Sequence, residues 1–403
     1  MTAFNRSTVL FLFAVTAVPA QVEYGIAAQY KNDSGISRNP DVVFTENFEE
    51  ESMAAMQSRW SDEGEVQRGE YMEFSDDIPA LSGGKQSLSG PGNEEGPGLY
   101  RRLVGDGAGY DKLYFRFYCK LDNACEEIHH FSWMGGHNPP TKWPNPRAGY
   151  RPAGDSHFSS GAEPGADGWD FYTYWKDMGC WGSEDGECHG NCFLWNTAKP
   201  KVEKGTWFCW EMMIKINDPP ESKNGEQAFW INGVKYAHYG PGFPKYSYSG
   251  TDRWWPDSTG EPWPGFQWRT DAALKVNYVW LYNYVHSDAC RVWFDDVVAA
   301  TSYIGPMVDD AHAVKDVSPL RQRSAVLNMY PLQTGNHLVL NLPENAGPPV
   351  NVAIYSAAGI KMVSLPDVSG DKITVSKQCV PPGIYLVRIT SGEKMLFSRF
   401  VLN

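Results

Sequence analysis

The chain has 403 residues, and its 35 Lys and Arg stand against 48 Asp and Glu for a formal net charge of −13. That balance argues against nucleic acid as a partner, because phosphate binding needs a basic face. Hydrophobic residues at 42% and charged residues at 21% exclude bulk disorder, and 16 Trp, 21 Tyr, 39 Gly and 28 Pro suit either short strands joined by tight turns or a sugar-binding surface.

Residues 1–20 read as a cleaved secretory signal peptide: one Arg, an apolar run over residues 9–18, and Val18-Pro19-Ala20 before Gln21. The run is about half of the roughly 20 residues needed to cross a bilayer, and no later stretch approaches that length. The expectation is a secreted or cell-surface protein with no transmembrane segment. Eight cysteines in an exported chain point to disulfides. Local pairing is the simplest arrangement, with Cys119 joined to Cys125 across a hairpin and a pair drawn from Cys180, Cys188 and Cys192 in one loop. A zinc site in that loop with His189 is the lesser alternative, since no CxxC spacing occurs.

A polar leader runs to about Pro40, and residues 41–306 form an aromatic-rich block whose segments LYFRFYCKL, EIHHFSWMGG, DFYTYWKDM, WFCWEMMIKIN, QAFWINGVKY, VNYVWLYNYVH and RVWFDDVVAA are strand-like. No window carries a three-turn amphipathic helix. The fold class is therefore all-β, with one two-sheet jelly roll favoured over two smaller sandwiches because the block has no internal linker. Residues 307–323 read as a polar linker. Residues 324–403 alternate apolar and polar residues between turn signals, which predicts a small C-terminal β-sandwich.

Alternate residues share one side of a sheet. Leu113, Phe115, Phe117 and Cys119 should face the core, with Tyr114, Arg116, Tyr118 and Lys120 opposite; Phe208, Trp210, Met212, Ile214 and Ile216 should do the same against Glu211 and Lys215. Tyr278, Trp280, Tyr282, Tyr284 and His286 fall on one face, as do Asp170, Tyr172, Tyr174 and Lys176. These second faces mix rings with charge, the makeup of a cleft that stacks on a pyranose and meets its hydroxyls and carboxylate. The loop 142–151 adds Lys142, Arg147 and Arg151 with Trp143 and Tyr150 and no acid, a positive island suited to an anionic sugar.

Tyr330-Pro331, IYSAAGIKMVS, PPGIYLVRIT and Lys394 before SRFVLN resemble the C-terminal sorting domain of bacterial type IX secretion cargo. The resemblance implies export by the type IX secretion machinery and removal of this domain. FTENFEE, GTWFCWEMMIKIN with NGEQAFWINGVK, and VWFDDVVAATSYIGP resemble a concanavalin-like jelly roll of the kind found in β-sandwich polysaccharide lyases. EEIHHFSW resembles the Gln-Ile-His strand of alginate lyases, with Glu127 in place of the Gln. A negative Glu there would repel a uronate.

Elimination at a uronic acid needs a neutralised carboxylate, a base for the C5 proton and an acid for the leaving oxygen. His129 and His130, Tyr174 or Tyr284, and Arg116 or Arg151 are the catalytic candidates. Trp133, Lys142, Arg147, Tyr150, Tyr172, Lys176, Glu211, Trp280 and Tyr282 are the candidates for holding the sugar. The expected function is a secreted polysaccharide lyase acting on an anionic polysaccharide. A noncatalytic carbohydrate-binding protein is one alternative. A jelly-roll hydrolase is another, although the E-x-D-x-x-E strand of that class is absent and only Glu126, Glu127 and Glu211 offer carboxylates. Glu46, Glu49, Asp295 and Asp296 resemble the structural Ca²⁺ site of many jelly rolls, and no organic cofactor is expected.

Overall fold

The computed structural model describes residues 22–61, 72–92, 98–104, 109–141, 147–181, 187–285 and 290–309, and in the C-terminal part 332–334, 337–341, 350–356, 361–369, 372–376, 380, 383–391 and 394–402. The chain is nearly all β and divides into two compact units between residues 314 and 315.

The first unit is a sandwich of antiparallel sheets. The larger sheet runs β11 (Val234–Tyr239), β10 (Glu226–Ile231), β9 (Phe208–Lys215), β5 (Lys112–Leu121), β16 (Arg291–Ala300), β3 (Ser87–Pro91) and β2 (Glu73–Ser75), with β1 (Val42–Glu46) also paired to β16. The smaller runs β4 (Gly98–Arg102), β15 (Tyr278–Tyr284), β6 (His130–His137), β7 (His157–Gly165) and β8 (Gly168–Tyr174). A short accessory sheet places β12 (Lys245–Tyr248) between β13 (Trp254–Pro256) and β14 (Glu261–Pro262).

Aromatic rings join the two main sheets. Phe117 of β5 meets Phe131 of β6 at 5.9 Å between centroids, Phe131 meets Trp169 of β8 at 5.4 Å, and Trp169 stacks on Trp210 of β9 at 4.5 Å. Period-two alternation holds here: Leu113, Phe115, Phe117 and Cys119 are buried, as are Phe208, Trp210, Met212 and Ile214. Burying one large aromatic side chain contributes about 1.5–3 kcal/mol, so this core dominates the stability of the unit.

The opposite face of the large sheet is also covered, which corrects the expectation of an open second face there. The leader donates backbone bonds from Ile26 and Ala27 to the carbonyls of Tyr303 and Ile304, and Ile26, Ala27 and Ile36 pack on Val298, Ala300 and Ile304. Beneath this cover the Arg116 guanidinium donates to Asp33 and to the carbonyls of Asp296, at 2.8 Å, and Gly305, at 3.3 Å. Glu211, cross-strand from Arg116, accepts the Ile304 and Gly305 N–H groups, each at 2.8 Å. Both residues satisfy backbone groups that the cover would otherwise leave unpaired.

Cys125 pairs with Cys290, 165 residues away, and Cys180 pairs with Cys188. The expected Cys119–Cys125 bridge is absent because Cys119 points into the core while Cys125 lies beyond the strand end; Cys119, Cys192 and Cys209 are free thiols, and Cys379 lies outside the described residues. The second unit holds a three-stranded sheet of 332–334, 337–341 and 372–376 and a four-stranded sheet of 361–368, 350–356, 383–391 and 394–402, the compact β architecture its alternation predicts. No helix among the described residues is long and apolar enough to cross a membrane.

Candidate active site

One face of the smaller sheet gathers the cleft candidates, with Trp133, Tyr174 and Trp280 buried and Tyr172, Tyr282 and Tyr284 partly exposed. Trp280 of β15 lies cross-strand from Trp133 of β6, Trp133 from Gly161 of β7, and Gly161 from Tyr172 of β8. Gly161 leaves room for the row, since a Cβ there would stand 3.1 Å from the Trp133 ring. Trp133 therefore meets Tyr172 edge-on at 5.9 Å, and Tyr282 packs against Trp280 at 4.1 Å. The indole N–H groups of Trp133 and Trp280 are buried with no acceptor among the described residues.

Beside this row an extra residue in β15 shifts the register between Leu281 and Tyr284 and sets Tyr284 opposite His130. Such bulges re-aim side chains at the rim of a sheet. The His130 ring stacks on His129 at 4.1 Å and lies 5.3 Å from Trp133, 5.4 Å from Tyr172 and 5.6 Å from Tyr284. Its Nδ1 makes a 2.8 Å hydrogen bond with Oε1 of Glu163 from β7, the two side chains being 23% and 15% exposed. Burial, with Asp170 and Glu127 nearby, pushes the Glu163 carboxyl well up. Among the described residues, only His129, His130 and Glu163 bring three potential metal-donor atoms within 4.8 Å of one another.

Tyr174 is 1% exposed, and burial pushes its hydroxyl up to about 12; its oxygen also hydrogen-bonds Tyr172, whose own pKa burial drives further up. Both phenols stay protonated, and Tyr172 donates to Tyr174. At the far end of the face His137 and His157 stack at 5.9 Å, and burial together with the Arg147 charge pushes both down to about 4. The Arg147 charge thus acts on this histidine pair.

The remaining candidates are elsewhere. Arg151 donates to the Cys180 sulfur at 3.4 Å, and Tyr150 is 65% exposed on the same loop. Lys176 follows the end of β8 and pairs with Asp177 at 3.6 Å. Arg116 and Glu211 belong to the covered face of the large sheet, and Lys142, Trp143 and His286 lie outside the described residues. Glu163, His137 and His157 were not among the sequence candidates. Glu163 precedes Pro164-Gly165, a turn signal, and only the β6–β7 pairing brings it to His130, 33 residues away.

The calcium candidates divide in two. Glu46 has both oxygens engaged, Oε1 by Phe48 N–H at 2.8 Å and Oε2 by the Trp60 indole at 3.2 Å and by Arg59, while Glu49 accepts the N–H groups of Lys85 and Gln86. Asp295 and Asp296 are buried neighbours, each pushed up by burial, with Oδ2 atoms that have no hydrogen-bond partner; Asn32 Oδ1 and Asp33 Oδ1 share that condition. A cavity of about 420 Å³ is bounded by Asn32, Asp33, Glu46, Gly83, Gly84 and Asp296.

No protein-family model matches the chain, and no curated protein matches it. Several solved structures are similar to part of the chain at low scores. Alginate lyase Aly36B is 13% identical at a TM-score of 0.40, covering 64% of this chain and 96% of that one. An alginate lyase from a Chlorella virus is 14% identical at 0.42, covering 64% and 99%, and a cellulose-induced protein is 15% identical at 0.37, covering 65% and 99%. At these identities the chemistry rests on the chain's own residues.

Proposed function

We propose that the protein is a secreted polysaccharide lyase that cleaves a uronic-acid polymer by β-elimination. The observation that carries the reading is the ring cluster of His129, His130, Tyr172, Tyr282 and Tyr284, all partly exposed on one face of the smaller sheet, with Trp133 and Trp280 buried beside it. Strands lie about 4.8 Å apart, so a row crossing from β15 to β8 spans about 14 Å, more than one sugar unit. Ring faces take the C–H side of a pyranose, and the flanking polar groups take its hydroxyls.

In the reaction the C5–H bond breaks and its proton goes to the base. The electron pair forms the C4–C5 double bond as the C4–O bond breaks, and the leaving oxygen takes a proton. Tyr284, half-buried beside His130, is the proton-transfer group, while the buried Tyr174 accepts a hydrogen bond from Tyr172 and orients it. Arg147 at the His137–His157 end holds the carboxylate of a neighbouring residue.

The test incubates the full chain with alginate, glucuronan, ulvan, pectate and glycosaminoglycans and follows the ultraviolet absorbance of the unsaturated uronate. A rise supports elimination. Reducing ends without absorbance would replace it with hydrolysis, and retention without product would replace it with a binding module.

Two further expectations stand as proposals. Residues 1–20 act as a signal peptide and residues 324–403 as a type IX sorting domain, so the exported form begins at Gln21 and lacks the C-terminal unit, as intact mass would read. The orphaned oxygens of Asp296, Asn32 and Asp33, which border one cavity, fit a hard, oxygen-seeking cation such as Ca²⁺, with Glu46 serving the neighbouring backbone and Asp295 outside that cavity's lining.

A further inference from the structure

The electrostatics of the cleft are at odds with its substrate. Glu163 lies at the centre of the reactive group, Asp170 is its cross-strand neighbour, and Glu127 is close enough to raise it further. Asp170 is in turn paired with Lys199 at 3.3 Å, while Arg116 is sealed under the leader and Arg151 points to the Cys180 loop, so neither candidate arginine reaches a uronate at His130. The position that resembles a neutralising Gln carries Glu127. A bound cation would bring to His130 the positive charge that those side chains do not.

The same residues supply a ligand set. One ring nitrogen from each of His129 and His130 and one carboxylate oxygen of Glu163 lie within 4.8 Å of one another, and all three residues are only partly buried. The 2.8 Å contact of His130 Nδ1 with Glu163 is bridged by a proton, the position a cation takes when it replaces that proton. Metal–nitrogen and metal–oxygen bonds of about 2.0–2.1 Å put tetrahedral ligand atoms about 3.3 Å apart, so the contact opens by roughly half an ångström. Two imidazoles and one carboxylate suit zinc and its first-row neighbours better than calcium or magnesium. Three protein ligands leave an open position for an outside oxygen.

We infer that His129, His130 and Glu163 hold a divalent transition-metal ion, and that this ion, in place of a basic side chain, receives the uronate carboxylate in the cleft. The second half rests on the lyase reading above; the first does not. The carboxylate oxygen enters the open position, the ion draws charge from the enolate-like intermediate, and Tyr284, 5.6 Å from the His130 ring, moves the proton. No electron leaves or enters the metal.

The experiment dialyses the full chain against micromolar Zn²⁺ and measures bound metal, then repeats this with Glu163→Gln and His129→Ala after circular dichroism has checked their folds. About one zinc per chain, weakened about tenfold or more in each variant, is expected. Cobalt loading of the unaltered chain gives a reading that no folding defect can confound: a visible spectrum without thiolate charge transfer is expected, whereas thiolate bands would move the metal to Cys119, Cys192 or Cys209 and overturn the site. No stoichiometric zinc, or equal uptake by all three chains, would also overturn it. Zinc bound without unsaturated product from any uronate polymer would sink the lyase reading and leave the metal site standing. Product formed at an unchanged rate after chelation would remove the metal's part in the reaction and leave the lyase reading intact.

Discussion

Two tyrosines read as equivalent candidates in the sequence separate sharply once their surroundings are known. Tyr174 is 1% exposed, accepts a hydrogen bond from Tyr172 and is pushed up to about 12, so its hydroxyl cannot act as a base near neutral pH. Tyr284 is half-buried at the register shift, opposite His130. Tyr284→Phe should lower kcat by about a hundredfold or more at an unchanged melting temperature. Tyr174→Phe should leave kcat within a few-fold and cost about 1 kcal/mol of stability, the worth of one hydrogen bond. Turnover and calorimetry on the two variants check both statements, and a Tyr174→Phe chain with no turnover would reverse the roles. His130→Ala should abolish turnover whether the imidazole acts directly or holds a metal, so dialysis, not kinetics, separates those cases.

At the scale of elements, β5 and β9 carry charged residues on a face that the leader and residues 303–308 close. Burial pushes Glu211 up to about 7 from a usual 4.5, against the lowering effect of the Ile304 and Gly305 N–H groups. The folded chain therefore binds a proton more tightly than the unfolded chain between those values. Stability gained from this group is present at low pH and falls as pH rises toward 7. The melting temperature of Glu211→Gln relative to the unaltered chain should rise over that window, and parallel profiles would remove Glu211 from the account. The Cys125–Cys290 bridge ties β6's approach to that of β16. Replacing both cysteines by Ser should cost about 2–5 kcal/mol, read by denaturant unfolding.

For the whole molecule, the buried unpaired oxygens of Asn32, Asp33 and Asp296 around one cavity are the clearest stress outside the cleft. If Ca²⁺ satisfies them, chelation should lower the melting temperature and added Ca²⁺, but not Zn²⁺, should restore it. A melt indifferent to both would eliminate calcium from the protein. The two cation proposals are independent, because the acids lie on the β16 side of the large sheet and the histidines on the smaller sheet.

The sequence by itself determined the all-β class, the two-part organisation and the inward faces of β5 and β9, because side-chain alternation is local and a strand cannot bury one face without showing it every second residue. It also named His129, His130, Tyr172, Trp280 and Tyr282, which the smaller sheet brings into one ring cluster. Only tertiary structure decided which second faces stay open. Alternation separates two sides of a strand without saying what lies over either, so Arg116 and Glu211 read like cleft residues until the leader was seen to cover them. Glu163 entered the site, and Cys125 found Cys290, through pairings across 33 and 165 residues, distances over which no local pattern in the chain carries information.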